Sequence, residues 1–354
     1  MSSPIPFRYG ILGTARIARA FVAGVRPSPD MMVAAVASRT LAQATAFGQE
    51  LGIARAYGSY AELLQDPDLD AIYVALPNSL HAEWSTRALV AGKHVLCEKP
   101  LGLTTAEVTA MQAVAHRQQR HLMEAVPFRF QPQTLEMNNL LRAGTIGRVQ
   151  MVRASIGFLL ADPADIRQHP ALGGGGLLDA GCYPVSLARL AIGEAPVWAT
   201  ASARWTPGGV DATVVGTLEY PSGALAQIAC SLSTAAHRQA QIIGEQGLIE
   251  TTYSNNFANG LVPALGLKRG TGWDVPTETV PVAAVNGFRA EAEALRALSL
   301  NLAPAGAFVT ARESWENAAT LDALFASASS GNGQRVAVQQ YGLRAELQSQ
   351  YYDY

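Results

Sequence analysis

The chain lacks several features whose absence narrows its class. Its 354 residues hold no apolar stretch of membrane-spanning length, because polar residues interrupt each hydrophobic run within a few positions. It has no basic surplus either. Lys and Arg number 26 against 28 Asp and Glu, a formal net charge of -2, which argues against a nucleic-acid partner. Cysteine is scarce: Cys97, Cys182 and Cys230 are far apart and odd in number, as expected of reduced thiols rather than a disulfide framework. Neither they nor the scattered histidines show metal-ligand spacing, so no metal is expected. The nine residues before Gly10 contain Pro4, Pro6 and Arg8 rather than an apolar leader, which makes the cytoplasm the expected location. Internal repeats and low-complexity segments are absent, and the stretch after Gln340 reads as no defined element.

What is present is an apolar-leaning globular composition, 49% hydrophobic against 15% charged, over a length that predicts two domains. The first third alternates apolar strands (Phe7 to Leu12, Met31 to Ala37, Asp70 to Leu76, His94 to Cys97, His121 to Val126) with helices such as Leu41 to Leu51 and Thr105 to Gln119. Such β-α units predict a doubly wound parallel sheet of Rossmann type over residues 1–125, with its ligand crevice beyond the C-terminal strand ends. From Pro127 the pattern changes to hairpin-linked strands, including Val197 to Trp205, Thr213 to Tyr220 and Leu225 to Ser233, with late helices near Arg289 to Leu300 and Arg312 to Ser327. Residues 126–354 therefore read as an α+β domain with a large, mostly antiparallel sheet for substrate binding and oligomerisation. Its strands look apolar on both sides, which predicts an outer face that joins a homodimer or homotetramer.

Gly10 through Ile17 spans the turn from the first strand to the first helix. Gly13 permits a tight turn and close approach to a pyrophosphate, which free N–H groups at a helix start would bind. Gly10, Gly13, Thr14, Ala15, Arg16 and Ile17 are the candidate contacts. The usual fingerprint asks for glycine where Ala15 and Ala18 stand, and the competing reading is that Gly13 merely ends a strand. The second strand runs into Ser38-Arg39-Thr40, with no acid to take ribose hydroxyls. A guanidinium beside hydroxyls suits a 2′-phosphate, so NADP is the expected cofactor, unless Arg39 is only a solvated surface residue.

Two further motifs point to chemistry. A strand ends in Cys97-Glu98-Lys99-Pro100, which sets a carboxylate and an ammonium at the crevice. Later, Gly173 to Gly176 form a flexible lead-in to a helix that sets Asp179 and Tyr183 four apart on one face. Together with the glycine turn, Leu76-Pro77-Asn78-Ser79-Leu80-His81 and the segment Glu313 to Ser327, these motifs resemble the glucose-fructose oxidoreductase / inositol dehydrogenase (Gfo/Idh/MocA) family over nearly the whole chain. Tyr rather than His at 183 resembles its aldose and dihydrodiol branch. Gln131 departs from the His that many relatives carry after Arg-Phe, which bears on substrate placement.

The resemblance implies an NADP-dependent oxidoreductase acting on CH–OH groups, which oxidises an aldose at C1 to a lactone. Alternatives are an aldose–aldose oxidoreductase that retains its nucleotide, a trans-dihydrodiol dehydrogenase and, outside catalysis, a nucleotide-binding regulator. It also implies Tyr183 as general acid/base with Lys99 as partner, in roles that could be exchanged. Free values of about 10 and 10.4 are both too high at neutral pH, and burial near a positive ring would lower the lysine. Asp179 reads as an acceptor for vicinal hydroxyls, an anchor for Lys99, or a plain helix-face carboxylate. Glu98 reads as a ribose or amide contact or as structural, and Pro100 is expected to be cis. Pro77, Asn78 and His81 are expected beside the nicotinamide-side ribose and phosphates, His81 having the alternative of no ligand. Arg129 reaches cofactor or substrate, or forms a domain-linking ion pair.

Overall fold

A computed structural model describes residues 6–257, 262–302 and 309–338. Six short strands come first: β1 (Phe7–Leu12), β2 (Met31–Ala37), β3 (Arg55–Tyr57), β4 (Ala71–Val74), β5 (His94–Glu98) and β6 (Leu122–Ala125). They pair in the order β3-β2-β1-β4-β5-β6, and every pairing is parallel. Ile72, Tyr73 and Val74 in β4, with Val95, Leu96 and Cys97 in β5, are fully buried, as a sheet covered on both faces requires. Between the strands lie α1 (Arg16–Val25), α2 (Leu41–Leu51), α3 (Tyr60–Leu64), α4 (His81–Val90) and α5 (Thr105–Arg117). Local chemistry sets their ends. Thr40, Ser59 and Thr104 each accept a hydrogen bond from the backbone N–H three residues on, and Gly52 closes α2 in the left-handed region. At three and five residues, β3 and α3 are too short to show a period, and the sequence did not announce them.

After α6 (Pro132–Arg142) the chain builds a second sheet. Its strands are β7 (Val149–Leu159), β8 (Trp198–Trp205), β9 (Asp211–Glu219), β10 (Leu225–Ser231), β11 (Ser233–Gly244), β12 (Gly247–Thr251), β13 (Ala264–Arg269), β14 (Glu278–Pro281) and β15 (Gln334–Arg335). The order is β14-β13-β12-β11-β7-β10-β9-β8-β15, and only β7 with β10 is parallel. Helix α7 (Cys182–Ile192) packs on β7 and β10, and α9 (Ala311–Ser330) on β8. Helix α8 (Gly287–Ser299) returns to the first sheet, against α1 and β5, where Tyr9 Oη donates to the Ala292 carbonyl at 2.7 Å. The later segment thus supplies part of the first sheet's cover.

The expectation of strands apolar on both sides does not hold. Val152, Ala154 and Ile156 are buried under the helices, while the alternate positions carry Arg153 and Ser155. Gln227, Gln239, Gln241 and Glu250 join these on the open face around a hollow of about 680 Å³. With one face covered, the pattern is the period-2 alternation of a half-solvated sheet. Cys97, Cys182 and Cys230 are buried free thiols. Among the described residues no helix is long and apolar enough to cross a membrane.

Candidate active site

Because the first six strands run parallel, the residues following β1, β2, β4 and β5 emerge at one edge, around the reversal of strand order between β1 and β4. Gly13 turns there with φ +96, and a Cβ on it would stand 2.6 Å from the Ala75 carbonyl oxygen. Only glycine fits that approach. Ala15 caps α1 without any side-chain hydrogen bond, and Ala15 and Arg16 are exposed beside half-buried Thr14 and Ile17. Ala18 N–H donates to the Ala15 carbonyl at 3.1 Å, and the Arg16 and Ile17 amides at the start of α1 are left for an anion. Gly10 has a different reason: a Cβ there would meet Leu69 Cδ1 at 2.6 Å and Leu63 Cδ2 at 2.9 Å. It makes room for core side chains inside β1 and does not face a phosphate. Ser38 is buried and its hydroxyl donates to Gln43 Oε1 at 3.1 Å, whereas Arg39 is exposed and pairs with no carboxylate among the described residues. A glycine cradle, uncapped amides and an unpaired guanidinium fit a dinucleotide carrying an extra phosphate.

Next to this edge, Lys99 directly follows β5 and is followed by a cis bond to Pro100. Its Nζ donates to Asp179 Oδ1 at 3.0 Å and to the Asp179 carbonyl at 2.8 Å, and lies 5.2 Å from the centre of the Tyr183 ring. The chain before α7 is not a regular α-helix but a π-turn over Leu177–Gly181. That wider turn, followed by Pro184 with no N–H, loosens the backbone ladder and leaves the Asp179 carbonyl for the lysine. The second carboxylate oxygen of Asp179 accepts from Arg167 Nε at 2.8 Å. Both oxygens are taken, so Asp179 is the anchor of Lys99. Nor is the glycine run flexible: Gly175 has φ +117, and a Cβ on it would stand 2.1 Å from Asp211 Oδ1. The glycines are there for close packing.

Charge in the site is sharply divided. Burial alone would lower Lys99, but Asp179 above all, with Tyr183, Cys182 and Glu98, holds it well above its ordinary value. Before any nicotinamide is bound, the Asp179 carboxylate thus outweighs the burial that would lower the lysine. Burial also works against the charged form of Asp179, yet Lys99 and Arg167 keep the carboxyl below the usual range. Tyr183 is pushed up to about 12 by burial, with Lys99 and Arg238 pulling the other way. Its Oη accepts from Asn255 Nδ2 at 2.9 Å, and the Arg238 guanidinium lies 4.4 Å from its ring centre.

Four residues expected at the cofactor have other partners. His81 is fully buried, its two ring nitrogens 2.8 Å from the Pro100 carbonyl and 3.0 Å from that of Leu76, so it ties the Lys99–Pro100 segment to the end of β4. Glu98 is buried as well and accepts from Tyr73 Oη at 2.5 Å. Asn78, following the half-buried Pro77, donates to the Gly173 carbonyl at 2.8 Å. Arg129 forms a buried ion pair, 2.8 Å from Glu313 with 8% of its side chain exposed. Conversely, Arg167, Arg238 and Asn255 belong to the site and were missed. Arg238 left one signal, a cation in the same register as inward-facing Ala240 and Ile242 on β11. Arg167 and Asn255 left none, since loops carry them in.

Two family models match the chain. One, the oxidoreductase family with an NAD-binding Rossmann fold, spans residues 7–126, and the other, the GFO/IDH/MocA C-terminal domain, spans 134–250. The chain belongs to the GFO/IDH/MocA oxidoreductase family. A D-xylose 1-dehydrogenase (NADP(+)) of Haloferax volcanii is 39% identical over 91% of this chain and 98% of its own length. A trans-1,2-dihydrobenzene-1,2-diol dehydrogenase of Danio rerio is 37% identical over 82% and 87%. Among solved structures, the aldose-aldose oxidoreductase of Caulobacter crescentus superposes with a TM-score of 0.84 at 28% identity, over 94% of this chain and 100% of the other. As a member of the GFO/IDH/MocA family, the protein is an oxidoreductase with a nicotinamide-dinucleotide domain.

Proposed function

We propose that the protein is an NADP-dependent dehydrogenase that oxidises an aldose at C1 and releases the lactone. The observation that carries this is the convergence of Lys99 and Tyr183, 5.2 Å from ammonium to ring centre, with Lys99 at the same sheet edge as the Gly13 turn. Similarity to the Haloferax volcanii xylose dehydrogenase supports both substrate class and nucleotide, and unpaired Arg39 supports a 2′-phosphate.

A bound oxidised nicotinamide supplies the hydride acceptor. The residues of the chain then manage one proton. Lys99, clamped on Asp179, keeps its own and donates a hydrogen bond to the substrate oxygen. Tyr183, whose oxygen already accepts from Asn255, takes the carbinol proton in its phenolate form as hydride leaves carbon, and gives it back from the phenol in the reverse reduction. The division of roles follows from charge: a lysine held protonated by a buried carboxylate is a poor base, whereas a phenol flanked by cations can become an anion.

Initial rates with C5 and C6 aldoses, inositols and dihydrodiols, each with NADP and NAD, test the reading. Xylose or glucose with NADP is expected to be fastest. Lys99→Met and Tyr183→Phe should each lower kcat by about 10²–10⁴-fold while nucleotide still binds. No aldose turnover alongside fast diol oxidation would favour dihydrodiol oxidation instead, a reading supported by the Danio rerio relative and by Phe128, 6.1 Å from Tyr183. Nucleotide that stays bound through gel filtration, with sugar reduced at the expense of sugar, would favour aldose–aldose transfer, in keeping with the Caulobacter crescentus neighbour.

A further inference from the structure

Lys99 has its counter-charge in Asp179, but the second cation beside Tyr183 has none. Arg238 lies on β11 opposite Ile156, on the helix-covered face, with its guanidinium 4.4 Å from the Tyr183 ring centre, 4.6 Å from that of Tyr253 and 5.7 Å from that of Phe128. Its Nε is buried without a hydrogen-bond partner, and no carboxylate pairs with it among the described residues. Arg238 is half-buried, and a cation partly withdrawn from water without a counter-charge is costly, a cost that an anion forming next to it relieves. The acids that feel it are the Tyr183 and Tyr253 phenols and the Cys182 thiol, and the thiol already donates to the Asp179 carbonyl. Tyr253 is already committed, since its Oη donates to the Ser155 carbonyl at 2.7 Å and thereby holds the neutral form. Tyr183 is not.

The hydrogen bonds make the same distinction. Arg238 Nη2 donates to Asn255 Oδ1 at 3.1 Å, and a guanidinium can only donate, so the amide oxygen must face the arginine. Its Nδ2 must then face Tyr183 Oη, which accepts. A donor aimed at the phenol oxygen favours phenolate and leaves the phenol's own proton for another acceptor. The loop that brings Asn255 here turns at Tyr253 with φ +35, in the left-handed region, where the Tyr253 N–H donates to Thr251 Oγ1 at 2.9 Å. Gln131, which replaces the expected histidine, is fully buried and holds the same loop by donating to the Asn255 carbonyl at 2.8 Å.

We propose that Arg238 and Asn255 are positioning residues that set the proton affinity of Tyr183, one through a cation on its ring and the other through a donor on its oxygen. The proposal rests on the reading that Tyr183 exchanges the substrate proton. The other groups facing the phenol are Lys99 and Glu98 from β5, Cys182 from its own helix, and Tyr73 from β4; burial, Cys182 and Glu98 oppose ionisation, while Lys99 and Arg238 favour it.

The test is the pH dependence of kcat for the fastest substrate, in wild type, Arg238→Gln, Arg238→Lys and Asn255→Ala, with NADP affinity measured by fluorescence. Oxidation should accelerate with rising pH along a limb that reports Tyr183. In Arg238→Gln and Asn255→Ala that limb should move alkaline by about one unit, so that kcat at pH 7 falls about tenfold with KM and NADP affinity little changed. Arg238→Lys should lie between. A limb that stays in place while KM rises would make Arg238 a substrate contact, and a uniform fall in kcat at every pH would make it merely structural; either overturns the proposal. Should Arg238→Gln fail to fold, Asn255→Ala, which removes only a loop side chain, carries the test alone. Independently of turnover, the ¹³Cζ resonance of Tyr183 in the NADP-bound enzyme, assigned by its loss in Tyr183→Phe, should titrate at higher pH in both variants, and an unmoved midpoint sinks the idea. If Tyr183→Phe kept wild-type activity, the functional reading would fail first; if it lost activity while the limb stayed put in the other variants, only this inference would fail.

Discussion

Single residues in this site divide by whether their charge is paired. Lys99 and Asp179 neutralise each other, Arg167 completes the carboxylate, and the three form one clamp in which removing any member strands another. Arg39 is the opposite case, an exposed guanidinium with no carboxylate partner among the described residues. Charge-assisted hydrogen bonds contribute about 1.5–3 kcal/mol. Arg39→Ala is accordingly expected to raise KM for NADP by about 10–100-fold and to leave KM for NAD nearly unchanged. Equal effects on both nucleotides, measured by initial rates, would remove Arg39 from the 2′-phosphate.

Elements carry their own constraints. The π-turn before α7 and the glycine run ahead of it replace a plain helix start, and each departure serves an approach that a regular helix forbids. At the opposite edge of the first sheet, β5 and β6 begin at a histidine pair whose rings lie 5.2 Å apart and nearly parallel. The His121 N–H donates to His94 Nδ1 at 3.1 Å, so that nitrogen must be unprotonated. Burial first, then His121 and Arg120, lower His94 from 6.5 to about 4. The folded value is below the unfolded one, so the unfolded chain binds more protons between them and stability rises with pH across that window. The contribution is complete above pH 6.5 and is lost as pH falls through 4. Asp211, raised by burial to about 6, acts in the opposite sense over part of the same range. Urea melts of wild type against His94→Gln therefore isolate the effect: the wild-type advantage should shrink from pH 7 to pH 4. A constant difference would show that His94 does not titrate in that window.

At the scale of the whole molecule, the two sheets are held together by a buried ion network. Glu313 at the start of α9 accepts from Arg129, which follows β6, at 2.8 Å and from Arg189 on α7 at 3.1 Å, and Arg189 also pairs with Glu316. The two arginines hold Glu313 down to about 2 against the opposing effect of burial. Glu313 also closes a capping box with Thr310. Glutamine can keep that box but not the charge. Glu313→Gln should therefore cost about 3–5 kcal/mol by leaving the buried Arg129 guanidinium without its anion, while Arg189 keeps Glu316, read as a lower urea midpoint with the slope unchanged. A loss under about 1 kcal/mol, the scale of a surface pair, would show that the network does not hold these elements together.

How much could be read in advance depended on how local each cause was. The glycine turn, the caps, Glu98-Lys99-Pro100 and the glycine run before Tyr183 could be recognised as motifs, and parallel strands bring everything after their C-terminal ends to one edge by chain direction alone. The family, the fold class and the candidate pair Lys99 and Tyr183 were thus legible in the sequence. The state of that pair was not, because it depends on which groups are buried against it: Asp179 outweighs the effect of burial on Lys99, and His81, Glu98 and Arg129 turned inward to backbone, tyrosine and carboxylate partners. Arg167, Arg238 and Asn255 arrive through strand register and loop closure between segments far apart in the chain. Electrostatic effects at that range exist only after the chain has folded and excluded water, so tertiary structure alone decides them.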